Sequence, residues 1–199
     1  VLTGDYFDQT LAAAQAFCTR QGALFLSPFD DADVIEGQAT VAAEIMDQLG
    51  QAPDLVIVPV GGGGLSAGLT RYFAEAAPRT GLRYVEPEGG KSLAAAVAAG
   101  EPVTLSQVDR FVDWAAVSRL LYLTFRSLAS SEPTQVLAAP ENRICGTMLE
   151  MLNVEGIVLE PAGALAIDAL KDLRDWIRGR TGVCGAAGEC GLRPPCMTM

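Results

Sequence analysis

The stretch from Asp54 to Gly68 constrains the fold of this chain more than any other part of its sequence. Leu55 to Val60 is a mostly β-branched apolar run without polar alternation, which predicts a strand buried on both faces. The glycines Gly61, Gly62, Gly63 and Gly64 follow, and Leu65 opens a helical pattern. Glycine lets backbone approach an oxyanion closely, and the amides at a helix start form the positive end of its dipole. The stretch therefore predicts a phosphate site; the alternative is a tight turn, which would need fewer glycines.

Helical and strand patterns alternate along the rest of the chain. Helices are predicted over 6–21, 34–49, 66–76, 92–99, 120–128, 141–152 and 165–177, and strands over 23–26, 55–60, 82–85 and 135–138. Residues 103–118 are predicted to be mostly loop with short strand pieces. In the helix over 141–152 we expect Ile144, Met148, Leu149 and Leu152 to face inward. The predicted fold class is α/β, a doubly wound parallel sheet with helices on both faces.

Composition excludes several classes of partner. The formal net charge of −10 argues against nucleic acid and anionic membranes, because 24 carboxylates repel phosphodiesters. The sequence has no apolar run of the roughly 18–20 residues that a membrane span needs. Five cysteines without a CxxC pair fit a reducing, cytoplasmic setting. Because the chain begins with Val1 rather than Met, we expect a fragment whose first part is missing.

The chain contains no histidine, which restricts the chemistry available to it. Ser-His-Asp and Cys-His nucleophile systems are excluded, as are histidine-ligated metal sites. Any reaction would have to use a carboxylate, a lysine, a cysteine or a cofactor.

Several motifs of this sequence resemble those of a known family, and their order and spacing along the chain agree with it. They are the run Val58 to Leu65, Ser27-Pro-Phe-Asp30, Val34-Ile-Glu-Gly-Gln-Ala-Thr40, Val85-Glu-Pro87 and Leu159-Glu-Pro-Ala-Gly-Ala164. Together they resemble the threonine dehydratase (threonine ammonia-lyase) family of pyridoxal-phosphate enzymes, which also includes serine dehydratase and serine racemase. The resemblance implies an incomplete tryptophan-synthase-β-like fold and a lyase that converts L-threonine to 2-oxobutanoate and ammonia for isoleucine synthesis. It also implies a small amino-acid substrate and a homo-oligomer at full length.

The resemblance assigns pyridoxal 5'-phosphate as cofactor and carries roles to particular residues. Gly61, Gly62, Gly63 and Gly64, with Leu65, would hold the phosphate. Glu160 would lie near the cofactor, although capping of the following helix and pairing with its dipole explain an acid there nearly as well. The sequence assigns no metal site, because Glu86 stands where the racemase branch binds a divalent cation but Ser92 replaces the matching acid.

The chain departs from the family at the positions that would take part in catalysis or contact the cofactor. The family's Schiff-base lysine lies in a motif upstream of anything here, so no catalytic residue is assigned. Lys91 and Lys171 are the only lysines, and both are expected to be solvated surface residues. Trp114 replaces a glycine expected near the cofactor. Its indole would intrude on the cofactor unless it points outward or fills space left by the missing part of the chain. Ala187 stands where a Ser or Cys should bond the pyridine nitrogen, and Cys184 would replace it only in a shifted register.

The expected organisation is the end of the small, lysine-bearing domain over 1–28, a large phosphate-binding domain over 29–180 and an irregular tail over 181–199. Two other functions stay open. One is a serine dehydratase or serine racemase activity, and the other is an inactive fragment that binds pyridoxal phosphate or another phosphate ligand.

Overall fold

The computed structural model describes residues 3–4 and 7–186, which form a parallel sheet between two layers of helices. The α-helices are α1 (Phe7–Gln21), α2 (Ala32–Leu49), α3 (Gly64–Ala76), α4 (Ser92–Ala99), α5 (Tyr122–Leu128), α6 (Glu141–Glu150), α7 (Pro161–Asp168) and α8 (Arg174–Ile177). The strands are β1 (Leu55–Pro59), β2 (Gly81–Pro87), β3 (Val136–Ala139) and β4 (Gly182–Cys184). The π-helical turn Met151–Glu155 continues α6.

The sheet has the order β3-β2-β1-β4 among the described residues, and every neighbouring pair is parallel. In the pairing of β1, Val58 lies opposite Tyr84 of β2 and Ile57 lies opposite Cys184 of β4. The predicted α/β fold class with a parallel sheet is therefore confirmed.

β1 supplies side chains to both faces of the sheet. Val56 and Val58 belong to the core on the side of α2, α3, α4 and α5. Leu55 and Ile57 belong to the core on the side of α6 and α7. All four are completely buried, and burial of each such side chain contributes roughly 1.5–3 kcal/mol. A strand without polar alternation is what a sheet covered on both faces requires.

α2 and α3 pack backbone to backbone beside the sheet. Asp31 caps α2, because its Oδ1 accepts hydrogen bonds from the amides of Asp33 (2.9 Å) and Val34 (3.3 Å). In the middle of the contact, a Cβ atom on Gly68 would lie 2.6 Å from the carbonyl oxygen of Ile35 and 2.7 Å from the amide nitrogen of Ala39. The close approach of the two helices therefore requires a glycine at position 68.

On the other face, a buried carboxylate joins α6 to α7. The side chain of Asp168 has no exposed surface and accepts hydrogen bonds from Arg143 Nε (2.7 Å) and Thr147 Oγ1 (2.7 Å). Lys171 Nζ lies 3.3 Å from Asp168 Oδ1 and donates to Thr147 Oγ1 at 2.6 Å. The side chain of Lys171 is 40% exposed, as expected for a surface lysine, but its Nζ also takes part in this network. The charge of Asp168 is matched by two cations, which a buried carboxylate needs.

The strand predicted over Ala23–Leu26 is wrong. These residues form no strand, and Leu24 and Leu26 are 92% and 63% exposed. Their apolar character satisfies the composition rule for a strand, but no described strand lies beside them to supply hydrogen-bond partners.

The inward face predicted for α6 is half right. Ile144 is buried and Met148 packs partly against the core, but Leu149 and Leu152 are 59% and 47% exposed. Leu149 follows Ile144 by five residues, which places it roughly 140° away around an α-helix. Leu152 falls in the π-helical turn, where the α-helical period no longer applies.

Two stretches outside the main helices also differ from expectation. Residues 103–118 are a loop, as predicted, but contain only the 3₁₀ turn Asp113–Ala115 and none of the strand pieces. The tail expected to be irregular from residue 181 begins instead with β4, which pairs with β1. Residues 187–199 of that tail lie outside the described residues. No helix in the described part of the chain is long and apolar enough to cross a membrane.

Replacement of Gly68 by alanine should destabilise the fold. The added Cβ meets backbone atoms of α2, which cannot move aside as a side chain can, so we expect a loss of about 1–3 kcal/mol in the free energy of unfolding. Urea unfolding followed by circular dichroism measures it. The matched control is Gly146→Ala in α6, where a Cβ meets nothing within 4 Å and where alanine should stabilise the helix by about 0.5–1 kcal/mol. Equal effects of the two substitutions would contradict the close packing at Gly68.

Candidate functional site

The glycine loop, residues 61–64, lies at the carboxyl end of β1 and leads directly into α3. The amide of Val60 donates to the carbonyl oxygen of Val85 at 2.8 Å, which fixes the end of β1 against β2. The buried Ser66 donates from Oγ to the carbonyl oxygen of Pro59 at 3.1 Å and ties the first turn of α3 back to the strand. The carboxyl edge of a parallel sheet is where such folds place ligands.

Each of the four glycines has a reason in the packing of the protein itself. A Cβ on Gly61 would lie 2.7 Å from the carbonyl oxygen of Trp114, and those on Gly62 and Gly64 would meet Phe29. Gly63 has a φ of +85°, a left-handed conformation that favours glycine. Close packing thus accounts for the number of glycines, and the number alone no longer argues for a phosphate.

The start of α3 nevertheless presents donors that suit a phosphate. The first backbone amide to close a helical turn there is that of Ala67, which donates to the carbonyl oxygen of Gly63 at 2.8 Å. The amides at residues 64, 65 and 66 precede it and have no intrahelical acceptor, as at the start of any α-helix. Leu65 is half-buried and contributes its amide rather than its side chain. These donors and the helix dipole can hold an oxyanion without a basic side chain.

Glu160 directly precedes α7 and occupies its N-cap position. Its backbone is extended, with φ −78° and ψ 164°, and its side chain makes no capping hydrogen bond. The explanation by a capping hydrogen bond therefore fails, whereas the pairing of an acid with the dipole of α7 stays open. The half-buried carboxylate stays a candidate for contact with a ligand.

Glu86 is completely buried at the end of β2, next to the carboxyl end of β1. Its Oε1 accepts from the amide of Leu93 (2.6 Å) and the hydroxyl of Ser92 (3.4 Å), and its Oε2 accepts from the amide of Ala94 (2.9 Å). Burial raises the pKa of Glu86 to about 7, although these donors favour the charged form and pull the pKa down. The carboxylate thus serves the first turn of α4, a role the sequence did not indicate.

Two departures from the family pattern lie within the described residues. The side chain of Trp114 is 75% exposed and points outward, while its backbone packs on Gly61. Cys184 lies in β4 opposite Ile57, and burial raises the pKa of its thiol to about 11. The thiol is partly buried in the core beside α6 and α7, so the alternative in which it replaces the missing hydroxyl gains no support. Ala187 lies outside the described residues.

A cavity of about 700 Å³ lies beside the glycine loop. It is lined by the first residues of α1, Phe7 to Gln9, and by the loop over 105–118, but by none of the four glycines. The ring of Phe7, which lines the cavity, lies 5.6 Å from the ring of Phe29, which in turn packs on Gly62.

Comparison with known proteins adds the family. The sequence profile described as "Pyridoxal-phosphate dependent enzyme" matches residues 1–186. The chain belongs to this family. This family member is 45% identical over 189 residues to a biosynthetic L-threonine dehydratase of Mycobacterium bovis, and 40% identical over 188 residues to that of Bacillus subtilis. Each match covers 94% of the chain but only 44% of the relative, so the chain spans less than half the length of these relatives.

Solved structures agree with this assignment. A threonine deaminase isoform of Solanum lycopersicum superimposes on this family member with a TM-score of 0.85 at 30% identity, over 96% of the chain and 56% of its own length. A maize serine racemase gives a TM-score of 0.84 at 24% identity, over 96% of the chain and 60% of its own length, and shows the shared fold alone. The resemblance to the threonine dehydratase family that the motifs predicted is confirmed.

The family name implies pyridoxal phosphate as cofactor. The described residues suit its phosphate group but not its aldehyde group. The free amides at the start of α3 suit the phosphate. Both lysines are already engaged: Lys91 pairs with Glu88, and Lys171 with Asp168 and Thr147. The described residues therefore offer donors that suit a phosphate but no unpaired lysine for the aldehyde.

The buried carboxyl of Glu86 should make stability depend on pH. Its folded pKa of about 7 lies above its ordinary value of 4.5, so between these values the unfolded chain loses this proton and the folded chain keeps it. Stability should fall as the pH rises from 4.5 to about 7, by up to about 3 kcal/mol at 1.36 kcal/mol per pH unit. Thermal unfolding of the wild type and of Glu86→Gln across this range measures it. A pH profile that the substitution leaves unchanged would contradict the assignment.

Proposed function

We propose that this chain is part of a pyridoxal-phosphate-dependent lyase that dehydrates and deaminates L-threonine to 2-oxobutanoate and ammonia, a step of isoleucine synthesis. The observation that carries the proposal is the glycine loop at the carboxyl end of β1, where the first amides of α3 have no intrahelical acceptor. The identity of 45% to a biosynthetic L-threonine dehydratase supports the choice of substrate.

In this proposal the residues of the chain bind and orient pyridoxal phosphate. The amides at Gly61, Gly62, Gly63, Gly64 and Leu65 form the phosphate-binding set, and the dipole of α3 adds to their attraction for a dianion. Bound pyridoxal phosphate supplies the electron sink for negative charge at the Cα atom of an amino acid.

A second group has a proposed role on the same edge of the sheet. Glu160 is half-buried and has no capping bond to α7, so its carboxylate is available to accept a hydrogen bond from the cofactor or the substrate. The backbone around it is set by Pro161 at the first position of α7, where the fixed φ of proline suits a helix start.

The proposed organisation follows the same division as the sequence. Residues 1–28 belong with a lysine-bearing domain and 29–180 form the phosphate-binding domain. The exposed Leu24 and Leu26, together with the absence of any buried residue in α1, support this boundary. We further propose a cytoplasmic enzyme that is homo-oligomeric at full length, with a small amino-acid substrate and no metal requirement.

The alternative is a chain that binds pyridoxal phosphate without catalysis. It is favoured by the engagement of both lysines with carboxylates, since the family reaction needs a lysine that is free to hold the cofactor's aldehyde. A serine dehydratase or serine racemase is the alternative within the enzyme class.

Supplying the part of the protein that this chain does not span should restore a threonine-specific lyase. We expect a fusion of residues 1–186 to the remaining length of the Mycobacterium bovis relative to form 2-oxobutanoate from L-threonine faster than pyruvate from L-serine. Coupled keto-acid assays measure both rates, and the intact relative is the positive control. Faster pyruvate formation, or inversion of L-serine, would favour the serine enzymes. No keto acid from a folded fusion would favour the non-catalytic chain.

The isolated chain should hold pyridoxal phosphate without covalent capture. Because Lys91 and Lys171 are paired with carboxylates, borohydride treatment in the presence of the cofactor should label neither stoichiometrically. Peptide mapping by mass spectrometry measures the labelling, and inorganic phosphate should compete for reversible binding. Stoichiometric label on either lysine would show that this chain carries its own anchoring amine.

A further inference from the structure

The residues Phe29 and Asp30, which we call the brace, lie against the glycine loop. The ring atom Cγ of Phe29 is 2.5 Å from the position that a Cβ on Gly62 would take, and Cε1 is 2.6 Å from it. The Cα and carbonyl oxygen of Phe29 are both 3.1 Å from the corresponding position on Gly64. One residue outside the loop therefore limits the space of two of its four glycines.

Asp30, the second residue of the brace, acts on Gly63 indirectly, because it bonds to α5 and α5 packs on Gly63. Oδ1 of Asp30 accepts a hydrogen bond of 2.8 Å from the amide of Thr124, in the first turn of that helix. The Cβ of Thr124 is 3.3 Å, and Leu120 Cδ2 3.1 Å, from the position that a Cβ on Gly63 would take. A carboxylate at a helix start is held by charge-assisted bonding and by the helix dipole, so Asp30 fixes the segment that packs on Gly63.

The brace is itself held on both sides. The amide of Asp30 donates to Ser27 Oγ at 3.1 Å, and the next residue, Asp31, caps α2. α2 in turn packs on α3 at Gly68. The glycine loop thus lies inside a closed set of contacts that runs from α2 through the brace to α5 and back through α3.

We propose that Phe29 and Asp30 are positioning residues that hold the amides of the glycine loop in place for a phosphoryl group. The inference rests on the phosphate-binding role in the proposed function. Glycine loses more backbone freedom on folding than any other residue, so four in a row form an ordered loop only if their surroundings restrain them. Donors that are already ordered bind an anion more tightly, because their ordering does not have to accompany binding.

The test compares Phe29→Leu, Asp30→Ala and Asp30→Asn with two matched controls in the 199-residue chain. Phe17→Leu changes a phenylalanine that is 54% exposed on α1, and Asp47→Asn changes an exposed carboxylate of α2. Three quantities are measured: NMR order parameters of the backbone amides of residues 61–66 without ligand, the dissociation constants of pyridoxal phosphate and of pyridoxal, and the melting temperature. Pyridoxal lacks the phosphate, so the ratio of the two dissociation constants isolates the phosphate contribution.

We expect Phe29→Leu and Asp30→Ala to lower the order parameters of the loop amides and to weaken binding of pyridoxal phosphate by about tenfold, because the loop must then become ordered as the phosphate binds. Pyridoxal binding should stay unchanged. Asp30→Asn keeps an acceptor oxygen and should lie between wild type and Asp30→Ala, which also keeps the test decisive if the alanine variant does not fold. The controls should match the wild type.

Unchanged order parameters of residues 61–66 in the brace variants would overturn the inference, whatever the cofactor binding. Equal weakening of pyridoxal phosphate and pyridoxal would also overturn it, because it would show a general structural role. If the order parameters fall but the wild type binds neither pyridoxal phosphate nor inorganic phosphate, the proposed function fails, and the phosphate-positioning role falls with it.

Discussion

The structure depends on close contacts that the glycine backbone makes at both ends of the first turn of α3, at Gly64 and at Gly68. At Gly68 the backbone of α3 touches the backbone of α2, and in the glycine loop the chain touches Phe29 and the carbonyl of Trp114. Both contacts need the absence of a Cβ atom. They fix where α3 begins and how it lies on the sheet, and therefore where its free amides are. The same glycine contacts therefore determine both the packing of α3 and the position of the candidate site.

Buried charge is handled differently on the two faces of the sheet. Beside α6 and α7, Asp168 is neutralised by Arg143 and Lys171 and stays within a network of ion pairs. Near the glycine loop, Glu86 has backbone amides and a hydroxyl as partners, and desolvation outweighs them in its pKa. The first arrangement joins two helices, because Asp168 on α7 without its cations would leave an unpaired charge in the core. The second keeps a proton-binding group at the edge where ligands bind.

The sequence predicts those parts whose signal is local. β1, the glycine turn, α3 and α4 follow from apolar runs, glycines and period, and the structure places α4 over the predicted residues. The strand prediction for Ala23–Leu26 is wrong because a strand needs a neighbouring strand for hydrogen bonding as well as apolar residues. β4 was missed because its three residues, Gly182 to Cys184, are too few and too rich in glycine to show a pattern, and they become a strand only by pairing with β1. For the site, the loop was predictable, but contacts as distant in sequence as Asp30 with Thr124 were not.

α1 shows how unevenly stability is distributed in this chain. None of its fifteen residues is buried, so it gains little from the hydrophobic cores that hold the sheet and the other layers together. Its helicity depends on intrinsic propensity, which is marginal at this length in water. Unfolding of the chain should consequently not be a single cooperative event: we expect α1 to lose its hydrogen bonds gradually on heating, and the sheet with its two helical layers to melt together at a higher temperature.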